Sequence, residues 1–329
     1  MKFGSVPLGE AEGAVAVHSL RLPGIELRKG TRLDAALIEK LFEAGITEIV
    51  AARPEPGDVG ENEAAATVAA AISGDNAMPD AAFTGRANIR AAVTGVVVVD
   101  RAGVDALNAV DEAVTLATLA GYRHVRAGEM IATVKIIPFA VPAATMEAVQ
   151  AVVAPMVRVV PYRLKTASVI STLLPGLAEK VIAKTLRVTA SRLADAGVTI
   201  TDEQRVSHTT DAVAGALRRA VADGAEIALV FGASAIADRR DVIPAGIEAA
   251  GGTIEHFGMP VDPGNLLLLG RIGTMPVLGA PGCARSPREN GFDWILRRLL
   301  AGIEVSRSDV MSLGVGGLLM EIPTRPQPR

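Results

Sequence analysis

The sequence predicts an α/β protein whose C-terminal half is an open, mostly parallel sheet with helices on both faces, preceded by a mixed α+β region. Two observations carry this expectation. From Ser168 onward, short apolar runs alternate with stretches of helical period, a pattern that demands parallel pairing through crossover helices. The 329-residue length suits two domains, each with its own core. Pro142, Pro155 and Pro161 punctuate the chain, which puts the domains at 1–158 and 159–329.

In the first half, Leu22-Pro23-Gly24 and Lys29-Gly30-Thr31 are turn signals among short strands. Asp34 is placed to cap a helix that carries Leu37, Ile38 and Leu41 on one face and ends at Gly45. A turn over 54–60 leads into an Ala-rich helix over 61–72. The polar run 73–80 reads as a loop or hinge, which would separate lobes of about 1–80 and 81–158. Beyond it, 96–99 and 133–138 are buried-strand candidates around a helix expected near 104–119.

The second half is more regular. A strand is expected over 168–173, then a helix over 178–196 with Ile182, Leu186, Thr189 and Leu193 on one stripe, stopped by Gly197. Val198, Thr199 and Ile200 start the next strand. Thr209 or Thr210 caps a helix bearing Val213, Leu217 and Val221, and the apolar run 226–231 ends in Gly232. A further helix starts near Val242 or Pro244 and stops at Gly251-Gly252. Ligands of open α/β sheets bind beyond the carboxyl ends of the strands, so the loops after Leu173, Phe231 and Leu278 are where chemistry is expected.

Composition narrows the ligand class. Aromatic residues are only 3% of the chain and the net charge is −3 without a basic block, which argues against nucleic acid on both stacking and electrostatic grounds. A single cysteine, Cys283, excludes an internal disulfide and any cysteine-rich metal site. The N-terminal residues lack the pattern of a secretory signal, and no apolar run approaches the roughly 20 residues that span a bilayer. The expectation is a soluble, cytoplasmic protein with a small-molecule ligand. The four histidines show no metal-ligand spacing. His256 is the one nearest a candidate loop, and Cys283 reads as a packed residue rather than a nucleophile.

Three loops carry the candidate site. In 232–241, Gly232 and Ser234 offer close backbone approach and a hydroxyl, while Asp238 and Asp241 could hold a divalent cation that bridges to a phosphate. Asp241 reads equally as a plain helix cap and Gly232 as a plain turn residue. The second loop contains Pro263-Gly264-Asn265. The third is Gly279-Ala280-Pro281-Gly282-Cys283-Ala284-Arg285-Ser286-Pro287, with Arg285 and Arg288 as cationic groups.

This succession of a small-residue loop ending in Asp, a Pro-Gly-Asn turn before an apolar strand, and a Gly-Ala-Pro-Gly loop resembles the molybdopterin-binding fold of the molybdenum cofactor biosynthesis family, over about 159–303. It is similar both to molybdopterin molybdenumtransferases and to the molybdopterin-binding region that precedes a nucleotidyltransferase domain in some bacterial proteins. The segment from Leu22-Pro23-Gly24 to Gly45-Ile46 is similar to the one that precedes the catalytic domain in the molybdenumtransferases. The resemblance implies molybdopterin as ligand or substrate, contacted by Gly232, Ser234, Pro263, Gly264, Asn265, Pro281, Gly282 and Arg285. It also implies Mg2+ at Asp238 and Asp241 as the metal-binding and catalytic pair, a homo-oligomer (dimer or trimer), and a nucleotidyltransferase partner or domain.

Three departures accompany it. Asn265 stands where the family has lysine and Cys283 where it has asparagine. The acidic turn after the first strand is replaced by Ser171-Thr172-Leu173-Leu174-Pro175-Gly176. Binding is therefore expected more firmly than catalysis, with molybdenum insertion and a non-catalytic binding module as the two forms the function could take. A protein binding some other nucleotide or phosphorylated metabolite is the third reading. The chain ends in a Pro-rich tail, 323–329, that reads as a linker or free end.

Overall fold

The computed structural model describes residues 1–176 and 178–319, and the Pro-rich tail lies outside them. The chain divides into two compact units, Met1–Val160 and Pro161–Arg329. No helix among the described residues is long and apolar enough to cross a membrane.

The first unit is built from short antiparallel strands around two separate cores. Lys2–Pro7, Glu48–Arg53 and Val15–Ala16 form a three-stranded sheet with Glu48–Arg53 central. Ala35–Glu43 is the helix expected from the Leu37, Ile38 and Leu41 stripe. Asp34 caps it by accepting the Leu37 amide at 2.8 Å, an interaction worth about 1 kcal/mol. Leu8, Leu27, Leu33 and Leu41 fill this core, which draws on residues no later than Ala51.

The second core begins with the Ala-rich helix Glu61–Ile72. Its small side chains let it lie close to the sheet Val114–Thr118, Met130–Ile136, Arg86–Ala91 and Ala77–Pro79, given in spatial order. The division between the cores thus falls between Ala51 and Ala64, upstream of the 73–80 run.

The helix expected near 104–119 is not what forms. Arg101–Asn108 is helical, capped by Asp100, and Val114–Thr118 is a strand. The Asn108 side chain explains the break: its amide donates to the Leu116 carbonyl at 2.9 Å and its carbonyl accepts the Leu116 amide at 2.8 Å. Asp111 accepts the Ala113 amide within the intervening turn. Val114 and Leu116 then point inward with the period of two that a strand requires.

In the second unit the strands are β1 (Thr166–Leu173), β2 (Thr199–Ser207), β3 (Ile227–Phe231), β4 (Thr253–Phe257), β5 (Leu268–Ile272) and β6 (Met275–Ala280). The helices are α1 (Glu179–Ala194), α2 (Thr210–Ala222), α3 (Val242–Ala249), α4 (Gly291–Leu300) and α5 (Arg307–Met311). They make one six-stranded sheet of order β2-β1-β3-β6-β5-β4. The pairs β1 with β2, β1 with β3 and β3 with β6 are parallel, whereas β5 is antiparallel to both β6 and β4. Five strands therefore run in one direction and β5 alone opposes them.

Every residue of β3 is buried, as a strand covered on both faces must be. On one face Ile170, Ala228, Val230 and Val277 pack under Val213 and Leu217 of α2 and Ile243 and Ile247 of α3. On the other, Phe231 meets Phe292 of α4 with ring centroids 6.4 Å apart. Burying a large apolar side chain of this kind contributes about 1.5–3 kcal/mol. Asn290 and Asp293 cap α4 reciprocally, each receiving a backbone amide of the other's end of the first turn.

Candidate functional site

The strand directions bring the candidate loops to one edge. The carboxyl ends of β1, β2, β3, β4 and β6 all lie there, so the loops 232–241, 258–267 and 281–290 share an edge with Thr172 and with His208, which follows β2.

One peptide at this edge is held from both sides. The Gly232 carbonyl accepts from Arg285 Nη2 at 2.8 Å, and the Ala233 amide of the same peptide donates to Thr172 Oγ1 at 2.8 Å. Thr172 Oγ1 also lies 2.8 Å from His208 Nδ1. Arg285 Nη1 donates to Thr185 Oγ1 of α1 at 2.7 Å, and Thr185 passes its own proton to the Val181 carbonyl. The result is a continuous polar chain from His208 through Thr172, the 232–233 peptide and Arg285 to α1, crossing the strand ends in the order β2, β1, β3, β6.

Gly232 is required by packing. A Cβ there would lie 2.5 Å from the Ser234 carbonyl oxygen and 2.9 Å from Ile243 Cδ1. The Ser234 side chain is exposed.

The same loops carry Arg239, Arg240 and Arg288, all exposed, and the cation withdrawn from solvent is Arg285. It is half-buried on the short turn Gly282–Arg285, stacked over the Phe231 ring at 5.4 Å, and its hydrogen bonds go to neutral oxygens only. Burial lowers its pKa from the ordinary arginine value, and no carboxylate opposes that effect.

Arg192 of α1, close by, is arranged differently. Its Nε donates to Asp293 Oδ1 at 2.6 Å, Nη1 to the Ala284 carbonyl at 2.6 Å and Nη2 to the Ser286 carbonyl at 2.6 Å. This guanidinium ties the 281–290 loop to α1 and to the start of α4. On its far side a cavity of about 270 Å3 opens between Arg187, Arg192, Glu289 and Arg297, where Arg297 is itself paired with Glu289.

The expected Mg2+ pair takes on local roles instead. Asp241 caps α3: Oδ1 accepts the Val242 amide at 2.7 Å and Oδ2 the Ala237 amide at 3.0 Å. Asp238 accepts the Arg240 amide at 2.9 Å and its Nε at 2.8 Å, and these bonds hold its carboxyl below the usual aspartate range. Both carboxylates are committed, and no group of three or more His, Cys, Asp or Glu side chains among the described residues could hold a metal ion. As arranged, Asp238 and Asp241 do not fit a resident divalent cation.

The 263–265 turn is mainly structural. Pro263 and Gly264 are buried, the Pro263 carbonyl accepts the Gly291 amide at 2.9 Å, and a Cβ on Gly264 would lie 2.9 Å from Gly291 Cα. Asn265 is exposed, with its carbonyl taken by the Met259 amide. Pro281 is buried and Gly282 exposed. His256 lies inside β4, buried, with Nδ1 lacking a partner, and burial pushes its pKa down. Burial pushes the Cys283 thiol up, as befits an inert packed residue.

Thr172, Thr185, Arg192 and His208 did not emerge from the sequence. Thr172 sits inside an apolar run, Arg192 lies off the buried stripe of its helix, and the bonds that join Thr172 to His208, Thr185 to Arg285 and Arg192 to Asp293 link residues far apart in the chain.

No family model matches the chain, and no curated protein matches it. Among solved structures it is similar to the molybdopterin biosynthesis MoeA protein from Pyrococcus horikosii, with 14% identity over 92% of this chain and 75% of that one and a TM-score of 0.33. A likeness at that level carries no inference, and the site stands on its own residues.

Proposed function

We propose that the second unit binds an anionic, molybdopterin-type ligand at the carboxyl edge of its sheet and serves molybdenum cofactor assembly as a binding module. The observation that carries this reading is Arg285: a half-buried guanidinium with neutral partners only, set where the three loops that resemble the molybdopterin-binding family converge. A half-buried cation without a counter-ion has lost part of its hydration, and an anionic ligand group offsets that cost. The exposed Ser234 hydroxyl, Asn265 amide and Gly282 backbone border the same edge and supply neutral hydrogen-bonding groups for the rest of the ligand. In this reading the protein is cytoplasmic and passes its ligand to or from a nucleotidyltransferase.

Binding is favoured over molybdenum insertion by two features. The 171–176 segment, where the resemblance would want an acidic turn, has no acidic residue, and Asp238 and Asp241 are spent on Arg240 and on the cap of α3. Anaerobic calorimetry with molybdopterin and with ATP, each with and without Mg2+, tests the proposal. Molybdopterin should bind without a Mg2+ requirement, and Arg285→Met should weaken it by tenfold or more, the scale of a lost charge-assisted contact. Failure of molybdopterin to bind the wild-type chain would refute the reading. Formation of active cofactor on adding molybdate would replace the module with the transferase.

A further inference from the structure

Thr172 Oγ1 has one proton and is already an acceptor for the Ala233 amide. Its second contact, at 2.8 Å to His208 Nδ1, is satisfied in the neutral ring when the hydroxyl donates and Nδ1 accepts. Thr172 is fully buried and its hydroxyl meets no other acceptor among the described residues, so the hydroxyl donates to Nδ1 and the proton of a neutral His208 ring falls on Nε2. The hydroxyl is then oriented by both neighbours, with its proton toward His208 and a lone pair toward Ala233.

The opposite side of the same peptide is held by Arg285, through the Gly232 carbonyl. His208 and Arg285 are therefore the two ends of one hydrogen-bonded chain whose middle is the first peptide of the 232–241 loop. Removing the His208 acceptor leaves the Thr172 proton free to turn elsewhere and loosens the Ala233 contact. The Gly232 carbonyl can then shift, and with it the guanidinium that it helps to aim.

We propose that His208, as the Nε2-protonated neutral tautomer, is a positioning residue for the anion-binding edge: it acts through Thr172 to fix the 232–233 peptide and hence Arg285. The functional half of this inference rests on the ligand reading above, and the tautomer and the peptide clamp do not. Three measurements on the full chain separate the two.

The first is the tautomer, from nitrogen NMR of 15N-histidine-labelled protein near pH 8: His208 should carry its proton on Nε2, and a proton on Nδ1 overturns the proposal. The second is hydrogen exchange at the Ala233 amide, which should speed up about fivefold in His208→Leu, the scale of one neutral hydrogen bond. His208→Asn, whose side-chain oxygen stands near the position of Nδ1, should restore the wild-type rate. The third is molybdopterin affinity, which should fall in His208→Leu and recover in His208→Asn.

Unchanged exchange in a folded His208→Leu protein, checked by its circular dichroism and melting profile, removes the clamp. Should that variant fail to fold, Thr172→Val and Thr172→Ser make the same comparison from the other side of the bond. If the wild type binds no molybdopterin, the ligand reading falls while the tautomer and exchange results still decide the clamp. A clamp that holds while affinity stays constant overturns the functional half alone.

Discussion

Two arginines meet at the 281–290 loop, Arg192 reaching it from α1 and Arg285 belonging to it, and their surroundings differ in kind. Around Arg192 every direction of the guanidinium is answered: a carboxylate, Asp293, and the carbonyls of Ala284 and Ser286, with both charged side chains about nine-tenths buried. Around Arg285 the partners are a threonine hydroxyl, a peptide carbonyl and the face of Phe231. The first arrangement is complete without a ligand, as a structural clamp is. The second leaves a partly desolvated positive charge to be balanced, as a binding group does. Residue type alone does not distinguish the two; the count of charges within reach does.

The largest effect expected from this contrast is on stability. Arg192→Ala leaves Asp293 buried without its cation and takes a donor from the backbone carbonyls of Ala284, Ser286 and Arg288, a loss on the order of 3–5 kcal/mol. Chemical denaturation of the variant should show it as a large drop in the midpoint. Arg192→Lys should fall in between, since an ammonium keeps the charge but cannot span all of these acceptors. A small loss for Arg192→Ala would break the comparison, because the clamp would then be dispensable.

Arg285→Met is the matching experiment on the other side. It removes a charge that has no carboxylate partner and substitutes an apolar chain that can still lie on Phe231. Stability should hold or rise slightly, while molybdopterin binding weakens by tenfold or more. A variant that loses stability as severely as Arg192→Ala would make Arg285 a second clamp and erase the distinction.

How much of this was legible beforehand follows from the range over which each signal acts. Asp34, Thr209 and Asp241 as helix caps, the Ala-rich helix and the apolar strands of the sheet are local patterns, and they form as expected or within a few residues. The 104–119 segment misled because its apolar residues suit a helix locally, whereas the Asn108 to Leu116 bonds and pairing with Met130–Ile136 turn its second half into a strand. The loops at strand ends could be named because sheet topology puts them there.

What the loops do inside the site was not legible. Thr172 meets His208 across 36 positions and Arg192 meets Asp293 across 101. Nor does the sequence show that Arg240, two residues on, is the partner the Asp238 carboxylate takes.

Acid sensitivity near neutrality is expected from His256. Burial holds its folded-state pKa below the ordinary histidine value, with Arg307 and Arg239 acting in the same direction. The unfolded chain therefore binds the proton more readily, and stability falls as pH drops through the unfolded histidine pKa of about 6.5. Melting temperatures should decline from pH 7.5 toward 5.5, and His256→Leu should flatten that slope. An unaltered slope in the variant would assign the acid sensitivity to another group.

The smallest effect belongs to Asp238, and its smallness is informative. Its carboxylate is exposed and faces the still more exposed Arg240, and an ion pair in that setting contributes little because water and salt already screen both charges. Asp238→Asn should leave the melting temperature and the molybdopterin affinity where they were, with or without Mg2+. A Mg2+-dependent loss of affinity in this variant would mean that ligand binding pulls Asp238 away from Arg240 to hold a cation. The anion-binding edge would then run on from Arg285 into the acidic end of the 232–241 loop, and the division between a structural and a ligand-seeking arginine would describe only the empty state.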